Sequence, residues 1–196
     1  MADQANLFVI SAPSGAGKTT LCEKALAAMP DLVRSISMTT REKRGGEKNG
    51  QDYFFLDREE FRKKIKNNEL LEFARVFENY YGTPKKFVED NLLRGKDVIL
   101  NIDVQGAMKI RRKYRGNSVF IFILPPSIKD LEVRLLKRKT DTKLQIKKRL
   151  EVARKELAFL EFYDYKIVND DLKVAFEKLQ SIIIASRCKI RKTGGK

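Results

Sequence analysis

Histidine is absent from this chain, and cysteine occurs only twice. The first absence excludes imidazole acid–base catalysis and any histidine-ligated metal. Cys22 and Cys188 form no CxxC pair and are too few for a disulfide framework. They read as free thiols in a reducing cytoplasm. No apolar run approaches the ~20 residues that a membrane-spanning helix needs, so no membrane partner is expected. The opening Met1-Ala2-Asp3-Gln4 lacks the basic start and apolar stretch of a secretory leader, and a cytoplasmic location is the expectation. Internal repeats and low-complexity segments are missing too. Acidic residues are scarce beside basic ones: 26 Asp and Glu stand against 41 Lys and Arg.

The resulting net charge of +15 over 196 residues suits either a nucleic-acid surface or a small enzyme that neutralises several substrate phosphates. Part of the excess is trivial, because Lys189, Arg191, Lys192 and Lys196 sit in a tail that reads as frayed. No nucleic-acid motif is visible, so no specific nucleic-acid partner is expected beyond weak nonspecific attraction. Hydrophobic residues make up 42% of the chain, enough for one compact core with a lid or small inserted lobe.

What is present alternates. Leu7–Ile10, Val98–Ile102, Val119–Leu124 and Tyr165–Val168 are short apolar runs that read as buried parallel strands. Amphipathic stretches at about Lys18–Ala28, Gln105–Lys113, Ser127–Arg138, Lys143–Phe162 and Leu172–Arg187 read as helices between and after them. This order predicts an α/β domain with a mostly parallel sheet flanked by helices, whose ligands sit at the carboxyl ends of the strands. Residues 37–91 break the rhythm. They open with a polar, Gly-rich segment, Arg41 to Gly50, followed by strand patterns at Tyr53–Leu56 and Leu70–Val76 around a helix at about Arg58–Lys66. We expect a mixed α+β lobe here, inserted into a core of residues 1–36 and 92–196.

Between the first strand and first helix stands Ala12-Pro13-Ser14-Gly15-Ala16-Gly17-Lys18-Thr19, with Thr20 following. Strand, glycine-rich loop and helix in this order form a phosphate-binding loop. Backbone N–H groups and the helix dipole favour an anion there. Lys18 can reach terminal phosphates, and the Thr19 hydroxyl can take a magnesium ligand position. An ordinary tight turn before a helix is the bland alternative.

Without histidine or a metal-ligand cluster, arginines and magnesium are left to neutralise a moving phosphoryl group. Arg41 and Arg44, with Tyr53 after a glycine-rich turn, can fork around an acceptor phosphate, or form a solvated basic loop. Arg134 and Arg138 share one helix face, and Arg149 lies on the next helix. Lys139-Thr140-Asp141-Thr142 between them reads as a lid, about 137–149 in extent; a solvated helix face is the alternative. Asp103 emerges at a strand's carboxyl end, where it could hold magnesium, touch the acceptor or cap a helix. Glu72 interrupts an apolar strand, so it faces either solvent or a ligand. Guanine offers adjacent N–H donors that suit a carboxylate, and adenine does not.

Together these motifs resemble the guanylate kinase family, over nearly the whole chain from Leu7 to Arg187. The segment Thr39-Thr40-Arg41-Glu42-Lys43-Arg44-Gly45-Gly46-Glu47-Lys48-Asn49-Gly50-Gln51-Asp52-Tyr53-Phe54-Phe55 is similar to the family's GMP-binding signature. Asn79-Tyr80-Tyr81-Gly82-Thr83, Ile102-Asp103-Val104-Gln105-Gly106, Leu124-Pro125-Pro126-Ser127 and Val168-Asn169-Asp170-Asp171 match further family segments.

The resemblance implies a P-loop kinase core, an inserted GMP-binding lobe and a short lid, with MgATP and GMP as substrates. It implies that Ser37, Arg41, Arg44, Tyr53 and Tyr81 hold the GMP phosphate. Glu72, Ser37 and Thr83 would read guanine, with Gly82 and Asp103 at the same site. Lys18, Arg44, Arg138 and Arg149 would stabilise the transferring phosphoryl group. Arg134 would support the ATP side, with Asn169 and Asp170 close to the adenine. Ala12 stands where the family has Gly, Phe73 where Trp is common, Asn101 where many members have an acid, and Lys139 where Gly is frequent. Nothing in the pattern selects between monomer and homo-oligomer.

Overall fold

Leu7–Ser11 (β1) is buried at every position, as a parallel strand covered on both faces must be. The computed structural model, which describes residues 5–114, 116–137 and 142–190, makes it the centre of a five-stranded sheet. Leu32–Arg34 (β2), Asp97–Asn101 (β7), Ser118–Leu124 (β8) and Tyr165–Val168 (β9) complete it in the order β2-β7-β1-β8-β9, every pairing parallel.

The alternation of side chains along β1 divides the core in two. Phe8 and Ile10 face helix α1 (Lys18–Ala28) and helix α7 (Leu172–Arg187), packing with Leu21, Ala25, Ala175, Leu179 and Ile183. Leu7 and Val9 face the other way, toward Ala107 and Ile110 of α4 (Val104–Lys113) and Val88 of α3 (Lys85–Leu93). A separate cluster joins Leu131 and Leu135 of α5 (Ile128–Lys137) to Ile146, Leu150 and Ala153 of α6 (Lys143–Leu157).

Residues between 38 and 84 build a second, mixed sheet. Its strands are Met38–Thr39 (β3), Phe54–Phe55 (β4), Leu70–Val76 (β5) and Asn79–Pro84 (β6), in the order β4-β3-β6-β5. β3 and β4 pair in parallel and the rest antiparallel. Helix α2 (Arg58–Lys66) starts with a capping box in which Asp57 and Glu60 satisfy each other's backbone N–H groups.

The differences from expectation are local. The strand expected over Tyr53–Leu56 shrinks to Phe54–Phe55, because the turn before it claims Tyr53: its carbonyl accepts from Gly50 N. The long helix expected to reach Phe162 stops at Leu157, and a 3-10 turn follows at Leu160–Phe162. β6 carries Gly82 and ends at Pro84, both poor strand signals. Gly82 is required by packing, since a Cβ there would lie 2.9 Å from Leu70 Cδ1.

Candidate active site

The phosphate loop is shaped by two left-handed glycines, Gly15 at φ 98° and Gly17 at φ 90°. Gly17 is also the residue before α1, and no side chain caps that helix. By contrast α2, α4, α6 and α7 begin at Asp57, Asp103, Thr142 and Asp171, each accepting a backbone N–H. α3 also lacks a side-chain cap, but the first turn of α1 lies on a cavity, where its N–H groups can meet an anion. Asn169 fastens the loop from behind: its Nδ2 donates to Ala16 O at 2.8 Å, and a Cβ on Gly17 would meet that nitrogen at 2.2 Å. Arg134 Nη2 in turn donates to Asn169 O at 2.9 Å.

Loop and second sheet face one cavity of about 380 Å³. Ala12, Pro13, Ser14, Gly15, Gly17, Lys18, Thr19 and Thr20 line its floor, and Ser37, Arg41, Arg44, Tyr53, Glu72, Tyr81 and Gly82 line the opposite wall. Asp103 and Arg149 border it as well. Ala16 lies behind the loop, and Asn169 is buried with its side chain on it. Arg134 acts through Asn169, and Asp170 is exposed outside the cavity. Arg138 and Lys139 lie outside the described residues.

Lys18 Nζ donates to Ile102 O at 2.9 Å, tethering the ammonium to the end of β7. Burial lowers its proton affinity below the usual lysine range, while Asp103 and Glu156 pull the other way. Asp103 caps α4, its Oδ1 accepting from Gly106 N at 2.8 Å, and it also lines the cavity; burial raises its carboxyl. Arg149 Nη1 reaches Ser14 Oγ at 2.7 Å, bridging α6 to the loop. Asn101 Nδ2 lies 3.4 Å from Thr19 Oγ1. Buried beneath the loop on α1, the Cys22 thiol is pushed up to about 11, which leaves it unreactive at neutral pH.

On the opposite wall Arg41 is held by Glu47, with Nη2 to Oε1 at 2.7 Å, and Glu47 Oε2 accepts from Arg44 N at 2.8 Å. The guanidinium of Arg41 also lies over the Tyr53 ring at 5.4 Å, and Tyr53 meets Tyr81 edge-on with centroids 6.0 Å apart. One internal carboxylate thus bridges both arginines that sequence singled out for a phosphate.

Glu72 is 5% exposed, which removes the solvent-face alternative. The β5–β6 register places it directly across from Thr83, and Thr83 Oγ1 donates to Glu72 Oε1 at 2.7 Å. An irregularity between Leu70 and Glu72 adds one residue to β5 at this point. It lets Leu71 join the core while Glu72 borders the cavity. Burial raises the Glu72 carboxyl to about 7, opposed by the Thr83 hydroxyl.

Two charged cavity residues, Glu47 and Glu156, are not among the candidates that the sequence offers. Glu47 sits inside the Arg41–Tyr53 segment, and its three-residue spacing from Arg44 was the available signal. Glu156 reads as one more charge on a polar helix, yet Arg149, Val152 and Glu156 form one cavity-facing stripe of α6. Burial raises Glu156 to about 7, with Lys18 opposing.

The chain as a whole is similar to known proteins. A family model described as Guanylate kinase matches residues 4–186. A guanylate kinase of Carboxydothermus hydrogenoformans is 51% identical over 183 residues, covering 93% of this chain and 89% of the relative. One from Caldanaerobacter subterraneus subsp. tengcongensis is 48% identical over 187 residues, covering 95% and 90%. The crystal structure of guanylate kinase from Anaplasma phagocytophilum superimposes with a TM-score of 0.83 at 39% identity, covering 98% of this chain and 92% of that one.

Proposed function

The chain belongs to the guanylate kinase family and is an ATP:GMP phosphotransferase; we propose that the transfer runs across the cavity between the phosphate loop and the second sheet. The observation that carries this reading is that Lys18 and Glu72 face one cavity from opposite walls. The loop from Ala12 to Thr20 holds the ATP phosphates. Arg134, Asn169 and Asp170 support the ATP side, the first two by fixing the loop from behind.

On the acceptor side Arg41, Arg44, Tyr53, Tyr81 and Ser37 hold the GMP phosphate. Glu47 holds the Arg41 guanidinium and the Arg44 backbone N–H, fixing the loop that carries both arginines. Glu72, supported by Thr83 and assisted by Ser37, Gly82 and Asp103, reads guanine through its N1–H and 2-amino group. Those contacts do not touch the sugar 2′ position, so dGMP is accepted as well. Residues 37–91 close over GMP; of the lid expected at 137–149 over ATP, residues 138–141 lie outside the described residues.

An acceptor phosphate dianion is already nucleophilic, so the transfer is direct and in line, with no protein base and no covalent intermediate. Lys18, Arg44, Arg149 and Arg138, the last outside the described residues, stabilise the charge that spreads over the moving phosphoryl group. The site fits magnesium carried in by ATP. No group of three His, Cys, Asp or Glu forms a metal cage among the described residues, while the Thr19 hydroxyl faces the cavity beside Lys18. Magnesium takes few protein ligands and several phosphate and water oxygens, so one hydroxyl suffices. Held through the Thr19 hydroxyl, it would supply positive charge to the ATP phosphates.

No helix among the described residues is long and apolar enough to cross a membrane. With two free thiols, we place the enzyme in the cytoplasm, with small nucleotides rather than nucleic acid as partners. The test is Lys18→Ala. Turnover should fall by about 10³-fold or more, because a preorganised charge on the moving group is lost. GMP affinity measured by calorimetry should stay within about threefold. Near-normal turnover would remove Lys18 from the reaction.

A further inference from the structure

Gly106 is the third residue of α4, a place where alanine is the better helix former. Its backbone is not in the left-handed region that holds Gly15, Gly17, Gly46, Gly50 and Gly95. Conformation therefore gives no reason for glycine; space does. A Cβ on Gly106 would lie 2.6 Å from Glu72 Oε2, 3.0 Å from Glu72 Cδ and 3.2 Å from Asp103 Oδ1. The other carboxylate oxygen of Glu72 is held by Thr83 Oγ1 at 2.7 Å. The Gly106 N–H is itself committed to Asp103 Oδ1 at 2.8 Å. What this residue supplies to Glu72 is room.

We infer that Gly106 is a specificity-determining position: its missing side chain sets the depth and angle at which the Glu72 carboxylate meets an incoming guanine. The inference rests on the base-reading role of Glu72 given above. The carboxylate has the Thr83 hydroxyl on one side and the bare Cα of Gly106 on another, with Asp103 and Lys109 near enough to act on its charge, and it borders the cavity. A methyl group at 106 meets the end of the Glu72 side chain rather than backbone, so the reader moves and the fold stays. Discrimination is lost in preference to catalysis, since Lys18, Arg149 and the loop are untouched.

The experiment compares the parent with Gly106→Ala, Glu72→Gln, Glu72→Asp and the Gly106→Ala/Glu72→Asp pair. Steady-state rates are taken with GMP and with IMP, which lacks the 2-amino group, alongside the KM for ATP and the thermal midpoint. Gly106→Ala should raise the KM for GMP about tenfold or more and narrow the preference for GMP over IMP by a similar factor, the order expected of a ~1 Å misplacement. Its KM for ATP and thermal midpoint should match the parent.

In Glu72→Asp the carboxylate retreats by one methylene, about 1.5 Å, so adding Gly106→Ala there should cost under about twofold. An unchanged GMP preference in Gly106→Ala, with Glu72→Gln losing it, would overturn the role of Gly106 and leave the base reader standing. Guanine preference retained in Glu72→Gln would overturn the base reader itself. A Gly106→Ala defect of equal size in the Glu72→Asp background, in KM or in folding, would show that the glycine acts elsewhere.

Discussion

The two walls of the cavity are made from different materials. The donor wall is mostly backbone: Gly15 and Gly17 bend the loop, and α1 begins without a side-chain cap. Lys18 is the one charged side chain of the loop itself. On the acceptor wall the ligands are side chains brought together across strands and turns, with Arg41 on Glu47, Tyr53 against Tyr81, and Glu72 on Thr83. A triphosphate asks mainly for N–H groups and positive potential, which a loop and helix end provide. A purine base asks for a specific donor–acceptor pattern at one depth, and only placed side chains can provide it. Donor-side variants should therefore damage rate or ATP affinity, and acceptor-side variants should damage selectivity.

The sharpest way to break this division is Arg149→Ala. Arg149 of α6 donates to Ser14 at 2.7 Å, and the proposed transfer gives it the moving charge to stabilise. Its loss should lower kcat by about 10³-fold, the scale of an arginine supplied to a phosphoryl transition state. The KM for GMP should move less than about threefold. A change confined to GMP affinity would put Arg149 on the acceptor wall instead.

Glu72→Gln is the mirror test. Competition between GMP and AMP should show discrimination reduced by about 10²-fold, because an amide cannot accept from both guanine donors. The KM for ATP should be unaffected, and an ATP defect would blur the two walls.

A smaller effect is expected from Gly17→Ala. A side chain there is strained at φ 90° and meets Asn169 Nδ2 at 2.2 Å, so the KM for ATP should rise about tenfold, equivalent to ~1.4 kcal/mol of local strain. Unchanged ATP affinity would mean that the loop geometry is not held by Asn169.

Acidity sharpens the comparison more gently. Burial raises Glu72 to about 7, above its unfolded value of 4.5. The carboxylate proposed to read guanine is therefore increasingly protonated as pH falls below 7. GMP binding must expel that proton, so the KM for GMP should rise on acidification, approaching tenfold per pH unit at most. Folding linkage has the same origin: the folded state holds the extra proton between about 4.5 and 7, so this group's contribution to stability declines as pH rises through that window. Initial rates from pH 8 to pH 6 check the binding effect, and Glu72→Gln should flatten it. A parent profile that is already flat would contradict the assigned cause.

The same contrast explains what could be read from the sequence. The phosphate loop is a contiguous stretch whose function follows from local backbone, and β1, β7, β8 and β9 are apolar runs with clear ends. The Glu72–Thr83 contact depends on the register between β5 and β6. β6, with Gly82 and Pro84, carries almost no strand signal of its own. Asp103 has two readings in the sequence because an N-cap and a ligand contact use the same residue type; the bond to Gly106 N shows the cap, and the cavity lining keeps the contact open to it. Glu156 was invisible because a cavity-facing stripe of a charged helix differs from a solvated one only in what it faces.

The most direct test offers GMP, dGMP, AMP, UMP and CMP in parallel and follows ADP release from MgATP. Turnover should appear with GMP and dGMP and stay at background with the other three. Comparable turnover with AMP, or ATP binding without turnover on any acceptor, would contradict a cavity whose one wall holds the phosphoryl donor and whose other wall chooses guanine.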